Sequence, residues 1–222
     1  LNKHIFLMTI PTTLQEATKH WMISTLRQHD SEWPEIETMS FNVSGDAAFS
    51  IGQIIQVNFT YQETNEKYPS RLALKLHPSI EAVQQAVAAI QALKLEKKFY
   101  DEDIPSKIRN EDCYIPISYA AEVNEAGTEG FIILEWMDDS KWELKDITQG
   151  CSTKEQTRNV LRALARVHGS HWGLNIPELY PWMHPLNLPA MTAHTIGGVS
   201  AGLPSALPNL EKVLSSELYK LV

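Results

Sequence analysis

Hydrophobic and polar residues alternate in three stretches between residues 39 and 76, which is the pattern of strands with one buried face. The apolar positions are Met39, Phe41 and Val43, then Ile55, Val57, Phe59 and Tyr61, and finally Leu72, Leu74 and Leu76. Lys75 lies on the other face of the third stretch. Residues 114–123 and 130–136 predict two more strands, and the continuous apolar run 131–134 indicates a buried central strand. The pattern therefore predicts a five-stranded sheet.

Helical spacing of apolar residues predicts one helix before the first three strands and a longer one after them. Residues 13–28 form the first predicted helix, with Thr13 and Glu16 as a capping box. Residues 79–100 form the longer helix. Its apolar positions Val83, Val87, Ile90 and Leu93 recur every three or four residues.

A third helix is predicted over residues 152–172, with Ser152 and Glu155 as its capping box and Gly173 as its end. One stripe of this helix carries Leu161, Leu164, His168 and His171. Two histidines three residues apart on a helix can bind a metal ion. No third ligand is evident nearby in the sequence, so we expect these histidines to pack in a core and predict no metal site.

The remaining segments divide the chain. Residues 138–150 are acidic and predict a linker, residues 177–208 are rich in Pro and Gly and predict a loop, and residues 207–221 predict a final helix. The glycine-rich residues 197–202 follow no buried strand and precede no lysine, so we interpret them as a flexible loop. The predicted domains are an N-terminal helical extension (1–38), a sheet domain (39–137) and a linker followed by a helical region (138–222).

The composition narrows the class of protein. The hydrophobic share of 43% and the charged share of 21% are typical of a globular protein, and no apolar run approaches the roughly 20 residues of a membrane span. The net charge of −8 argues against nucleic acid as a partner. Cys113 and Cys151 are the only cysteines, which favours a cytoplasmic location over a disulfide framework or a zinc site. Met8 is a candidate for the natural first residue of translation.

A segment of mostly small residues, 44–52, connects the first two predicted strands. Small residues such as Gly45, Ser50 and Gly52 would let its backbone N–H groups approach a phosphate closely. Hairpins of small residues are also common without such a role. The sequence therefore predicts a candidate phosphate-binding loop.

Lys75 can neutralise the phosphates of a nucleotide, provided that a carboxylate on the following helix holds its amine in place. Glu96 is the candidate for that carboxylate, and Glu81 is a rival. Lysines on edge strands and solvated glutamates on helices are also frequent without function. The order of strand, loop, strand, lysine-bearing strand and helix favours the nucleotide-binding interpretation.

Four segments of the sequence carry a resemblance to a known superfamily. The chain resembles the aminoglycoside phosphotransferase and choline-kinase-like superfamily, including its ecdysteroid-kinase-like branch. The segments are 69–76 with its lysine, 96–100 with the pattern Glu-x-x-Phe-Tyr, 131–137 at the end of the apolar run, and 161–172 in the third predicted helix. Together they extend over roughly residues 40 to 173.

The resemblance implies an α+β fold. It consists of a protein-kinase-like N-lobe, with an antiparallel five-stranded sheet plus a long helix, followed by an incomplete helical C-lobe. It also implies ATP and Mg²⁺ as cofactors, and phosphoryl transfer from ATP to a hydroxyl of a small molecule.

The resemblance also implies roles for individual residues. Lys75 would grip the α- and β-phosphates, and Glu96 would position Lys75. The loop with Gly45 and Ser50 would cover the phosphates, while the backbone at Glu135 and Met137, the hinge, would receive adenine. No membrane partner is implied.

The catalytic centre of that superfamily lies later in its sequences, in a His-x-Asp loop followed by an Asn and then a second Asp for magnesium. This sequence has neither motif, and Asp146 is its last aspartate. We therefore expect no catalytic residue and no metal ligand in the chain, and interpret it as a truncated phosphotransferase without activity of its own. The alternative is a non-catalytic ATP-binding or protein-interaction protein. An incomplete second lobe would expose apolar residues such as Val160, Leu164 and Val167, which predicts self-association.

Overall fold

The computed structural model describes residues 9–43, 52–63, 66–110, 113–137, 140 and 153–183 and the single positions 197, 200, 204, 207 and 208. The strands are β1 (Ile36–Val43), β2 (Gln53–Tyr61), β3 (Arg71–Leu76), β4 (Ser118–Val123) and β5 (Gly130–Glu135). The helices are α1 (Lys19–His29), α2 (Glu81–Ala89), α3 (Ala92–Asp101), α4 (Ile104–Ile108), α5 (Lys154–Ser170) and α6 (Ile176–Leu179). The chain divides into two units, Leu1–Asn175 and Ile176–Val222.

The five strands form one sheet in the order β1-β2-β3-β5-β4, and every neighbouring pair is antiparallel. β3 therefore lies at the centre, between β2 and β5. The prediction of an α+β fold with a five-stranded antiparallel sheet is confirmed. The central position matters for function because it holds any side chain of β3 between two hydrogen-bonded neighbours.

One face of the sheet packs against α1. Leu72, Leu74 and Leu76 of β3 are at most 4% exposed and belong to the same hydrophobic cluster as Met22 and Leu26 of α1. Burial of side chains of this size stabilises the fold by about 2 kcal/mol each. The alternation seen in the sequence thus defines the face that packs in the core.

The other face of the sheet carries Lys75 and, directly across from it on β5, Ile132, which is 1% exposed. α3 lies on this side, since its Glu96 contacts Lys75. Helices therefore cover both faces of the sheet, α1 on one side and α3 on the other. The lysine lies between the sheet and α3 rather than in the core beneath α1.

The first helix begins later than the sequence predicts. α1 begins after Thr18, whose side chain accepts a hydrogen bond from the backbone N–H of Trp21. The predicted capping box at Thr13 is wrong, because the Thr13 side chain caps nothing. The carboxylate of Glu16 instead accepts hydrogen bonds from the backbone N–H and hydroxyl of Thr12. A short 3-10 helix, Leu14–Glu16, occupies the region.

The predicted continuous helix 79–100 is two helices. α2 ends at Ala89, and α3 begins at Ala92 after Gln91, which has a left-handed backbone with φ of 55°. A left-handed residue breaks the i to i−4 hydrogen-bond ladder. Apolar periodicity continued across the break, with Val87 and Leu93 both 3% exposed, so the pattern alone did not show it.

The helix predicted over residues 152–172 is present as α5, but its N-terminal cap lies one residue later than predicted and its surface is largely exposed. Thr153 and Gln156 form its capping box, which corrects the predicted pair Ser152 and Glu155, and Ser152 lies outside the described residues. The predicted exposure of apolar residues on this helix is found for Val160 and Leu164, which are 65% and 47% exposed, whereas Val167 is half-buried.

One predicted strand is shorter in the structure. The sequence predicted a strand over residues 114–123, but residues 114–117 precede β4 without belonging to it.

In the second unit, Tyr180 is buried and its ring lies 5.9 Å from that of Trp182. Gly197 and Ser200 are helical, so an irregular loop is wrong at these positions. Residues 209–222, most of the final predicted helix, lie outside the described residues.

Candidate functional site

Lys75 lies near the end of β3 with a hydrogen-bonded strand on each side. Its directly opposite neighbours are Ile54 on β2 and Ile132 on β5. Its side chain is only 19% exposed. Because Leu74 and Leu76 point into the α1 core, alternation directs the amine to the α3 side of the sheet.

The Lys75 amine donates to both carboxylate oxygens of Glu96, at 2.6 Å to Oε2 and 2.9 Å to Oε1. Glu96 lies in the middle of α3, and its side chain is 29% exposed. Charge-assisted hydrogen bonds of this length are among the stronger ones in proteins. The rival Glu81 is exposed in the first turn of α2, and the structure pairs Lys75 with Glu96.

Gly52 leaves space for the lysine side chain. A Cβ at Gly52 would lie 2.6 Å from the backbone oxygen of Leu76 and 3.3 Å from Cε of Lys75. No real Cβ approaches a backbone oxygen so closely, so a side chain here would displace β3. Gly45 and Ser50, the predicted phosphate-contacting residues of the loop, lie outside the described residues.

An exposed apolar side chain accompanies the lysine on the same face. Ile54 is 54% exposed, and it pairs directly with Lys75 across β2 and β3. An apolar surface beside a cation suits a ligand with a flat ring and a charged tail. Sequence reasoning missed this residue, although the alternation that buries Ile55 and Val57 indicates that Ile54 points the opposite way.

The predicted hinge, residues 135–137, follows β5 directly. The backbone N–H of Glu135 donates to the carbonyl of Ile117 at 2.8 Å, and the Glu135 carboxylate accepts from the Tyr114 hydroxyl, 2.6 Å from each oxygen. This hydrogen bond raises the pKa of Tyr114 to about 12, so the phenol remains a donor at neutral pH. Met137 is half-buried.

A buried donor also lies in the hinge. The indole Nε1 of Trp136 is buried and has no hydrogen-bond partner among the described residues. A buried polar group without a partner costs about 1–3 kcal/mol. The indole groups of Trp33 and Trp182 are buried without a partner in the same way, so this feature does not distinguish the hinge from the rest of the described residues.

The histidines of α5 do not pack as predicted. His168 is exposed and His171 half-buried, and the Nδ1 atom of His171 lies 2.8 Å from the hydroxyl of Ser170. The prediction of core packing for His168 is therefore wrong. Across the described segments, no three His, Cys, Asp or Glu side chains come together as metal ligands.

The described residues fit the phosphates of a nucleotide and not a metal ion. Lys75 is a positive charge held in a fixed position, Gly52 leaves room for its side chain, and Ile54 supplies adjacent apolar surface. A divalent cation takes several oxygen ligands, and the described residues gather no such set. The arrangement can bind and orient an anion. It does not support a reaction step that uses a metal ion held by the described residues.

The sheet order and the lysine on its central strand define a kinase-like N-lobe. The sequence model of the ecdysteroid kinase-like family matches residues 44–175, which is more than half of the 222 residues. The chain belongs to the ecdysteroid kinase-like family. No curated protein and no solved structure matches it.

The helices that the structure describes are too short or too polar to cross a membrane. The longest, α5, has 17 residues and includes several charged side chains. A bilayer core requires about 20 mostly apolar residues in a helix.

Proposed function

We propose that this chain binds ATP on the Lys75 face of its sheet, as the nucleotide-binding part of a small-molecule phosphotransferase. The observation that carries the proposal is the ion pair of 2.6 Å between Lys75 and Glu96. A lysine between two strands, held by a carboxylate from the adjoining helix, is a positive charge at a fixed point. Membership in the ecdysteroid kinase-like family supports the same interpretation.

Lys75 would neutralise the α- and β-phosphates, and the loop before Gly52, including Gly45 and Ser50, would lie over them. The exposed side chain of Ile54 would contact the base, and the backbone at Glu135 and Met137 would bind its polar edge. The role of Ile54 rests on its position directly opposite Lys75 on β2. The roles of Gly45, Ser50, Glu135 and Met137 rest on the family resemblance.

We further propose that the 222 residues bind nucleotide without transferring phosphate. The sequence contains no His-x-Asp segment and no aspartate after Asp146. A phosphotransferase needs a residue that orients or deprotonates the acceptor hydroxyl. In the activity of the family, the acceptor would be a hydroxyl of a small molecule. A cytoplasmic location is proposed on the cysteine content.

The test is a calorimetric titration of ATP into the wild type, Lys75→Ala and Lys97→Ala. Lys97 is a matched control because it lies on α3 and forms an ion pair with Asp101, also of 2.6 Å. Loss of Lys75 should weaken ATP binding at least about tenfold, which corresponds to about 1.4 kcal/mol. Loss of Lys97 should change it less than about twofold. Equal affinities of wild type and Lys75→Ala would refute the proposal.

A parallel assay with radiolabelled ATP and a panel of small hydroxyl compounds tests the second part. We expect ATP binding without label transfer. Transfer above background would show that a catalytic group is present in the chain and would contradict the proposed lack of activity. Absence of both binding and transfer would favour the alternative, a protein-interaction module that keeps only the fold.

A further inference from the structure

Residues 114–117, here called the strap, run alongside the end of β5 and contact Glu135 three times. The Glu135 N–H donates to the Ile117 carbonyl at 2.8 Å. In return, the Ile117 N–H donates to the Glu135 carboxylate at 3.2 Å. The Tyr114 hydroxyl lies 2.6 Å from both oxygens of that carboxylate. Both backbone and side chain of Glu135 are therefore fixed by the strap.

Arg109 fixes the strap from its other side. Its Nε donates to the carbonyl of Ile115 at 2.8 Å and its Nη2 to the carbonyl of Pro116 at 3.3 Å. The guanidinium also lies 5.8 Å from the centre of the Tyr114 ring, within the range of a cation–π contact. Arg109 directly follows α4, so the strap is anchored to the helical side of the lobe.

The Glu135 side chain does not share the face of Lys75. Glu135 pairs directly with Leu72, which points into the α1 core, whereas Lys75 is on the opposite face. Directly opposed residues of antiparallel strands extend to the same face. The Tyr114 contact is thus made on the reverse side of the hinge from the proposed nucleotide site, and Tyr114 can affect a nucleotide only through the backbone.

We propose that Tyr114 is a positioning residue for the nucleotide base, because its hydrogen bond to the Glu135 carboxylate holds Glu135, the first residue of the hinge, at the edge of the proposed ATP site. This inference rests on the proposed function. The phosphates would be held by Lys75 on the sheet, and the base by the hinge. Loss of the Tyr114 hydroxyl should therefore weaken the binding of the base and leave phosphate binding unchanged.

The experiment compares ATP with inorganic tripolyphosphate as probes, by calorimetry, on the full chain. In Tyr114→Phe, ATP affinity should fall about fivefold to tenfold, in line with loss of one hydrogen bond to a charged group. Tripolyphosphate affinity should stay within about twofold of wild type. A purely structural role would lower both affinities together, so the ratio of the two is the decisive readout.

Tyr61→Phe is the matched control. The Tyr61 hydroxyl donates to the Pro69 carbonyl at 2.6 Å, so the variant also loses one tyrosine hydrogen bond in the same unit. It should leave the ratio of ATP to tripolyphosphate affinity unchanged. A similar shift in Tyr61→Phe would overturn the proposal.

Two further outcomes separate this inference from the proposed function. If the wild type binds ATP and Tyr114→Phe binds it equally well, the positioning role is wrong and the ATP site stands. If the wild type binds no ATP, the proposed function fails and the positioning role fails with it. Should Tyr114→Phe fold poorly, Glu135→Gln removes the charge from the same contact and should give the same selective loss of ATP affinity.

Discussion

The amine of Lys75 lies 2.6 Å from a carboxylate oxygen of Glu96, although 21 residues separate the two along the chain. The pair joins the central strand of the sheet to α3. The ion pair therefore fixes α3 against the sheet, and it also holds the positive charge of the Lys75 amine in one position. Both functions can be tested separately because one concerns stability and the other concerns binding.

We expect Glu96→Gln to lower the free energy of unfolding by about 1–2 kcal/mol and ATP affinity by about tenfold. The variant keeps the shape of the side chain but leaves the partly buried Lys75 amine without a countercharge. Urea unfolding and ATP titration measure the two effects. The control is Glu102→Gln, since Glu102, the residue after α3, forms a looser ion pair of 3.8 Å with Lys98 of that helix and should contribute little. Equal effects of the two variants would contradict a special role for Glu96.

Gly52→Ala should destabilise the protein by about 1–3 kcal/mol, as overpacking does in a core. The added Cβ would lie 2.6 Å from the Leu76 backbone oxygen and would also press on Lys75. ATP affinity should fall in the same variant because the lysine moves. Thermal unfolding and ATP titration are the measurements.

The control for the glycine experiment is Gly169→Ala. Gly169 lies in α5, and a Cβ there meets nothing within 4 Å. Alanine in a helix interior is favoured over glycine by up to about 1 kcal/mol, so this variant should be at least as stable as wild type. A stable Gly52→Ala variant with normal ATP affinity would show that β2 and β3 tolerate a side chain at this position.

Gln91→Gly should raise the free energy of unfolding by about 0.5–1 kcal/mol. Gln91 has φ of 55°, a conformation that costs a residue with a Cβ about 1–2 kcal/mol but costs glycine nothing. Part of the gain is offset by the greater freedom of glycine in the unfolded chain. Ala89→Gly, in the last turn of α2, should instead destabilise by up to about 1 kcal/mol. Similar destabilisation by both changes would indicate one continuous helix.

Asp30→Asn should reduce stability near neutral pH, and the difference from wild type should shrink in acid. The Asp30 carboxylate accepts hydrogen bonds from the Glu32 N–H at 3.0 Å and the Tyr68 hydroxyl at 2.8 Å, which hold the pKa of Asp30 below its usual value of 3.8. The stabilisation is therefore present above pH 3.8 and is lost as the pH falls through the lower, folded-state pKa. Urea midpoints at about pH 6 and about pH 3 measure it.

The control for the pH experiment is Glu63→Gln, because Glu63 is exposed. Its difference from wild type should be small at both pH values. The interpretation of the Asp30 contacts would be wrong if the stability difference between wild type and Asp30→Asn were the same in acid as at neutral pH.

We expect the chain to self-associate through the exposed apolar side of α5. Val160 is 65% exposed, Leu161 59% and Leu164 47%, and contiguous apolar surface favours association. Light scattering across a range of concentrations should show a rising mean mass that the double change Val160→Lys and Leu164→Lys abolishes. Ile80→Lys, at an apolar residue that is 40% exposed before α2, should leave it unchanged. A wild type that stays monomeric at high concentration would refute the expectation.

The alternation of apolar residues was sufficient to predict the buried faces of β2 and β3, whereas Val43 of β1, predicted on a buried face, is 43% exposed. Leu72, Leu74 and Leu76 are buried in the α1 core as expected, and Lys75 is on the other side. This succeeded because side chains of a strand alternate between two faces whatever the surrounding fold. The choice of Glu96 as the partner of Lys75 came from the family resemblance, because periodicity alone left Glu81 as a rival.

The tertiary structure alone decided where the helices break and which side chains the hinge uses. Gln91 interrupts a helix whose apolar periodicity continues on both sides of it, and nothing in the local sequence requires a left-handed residue there. The contact of Tyr114 with Glu135 spans 21 residues and depends on how β4 is placed next to β5. Such contacts follow from packing among several elements, whereas periodicity reports only which face of a single element is buried.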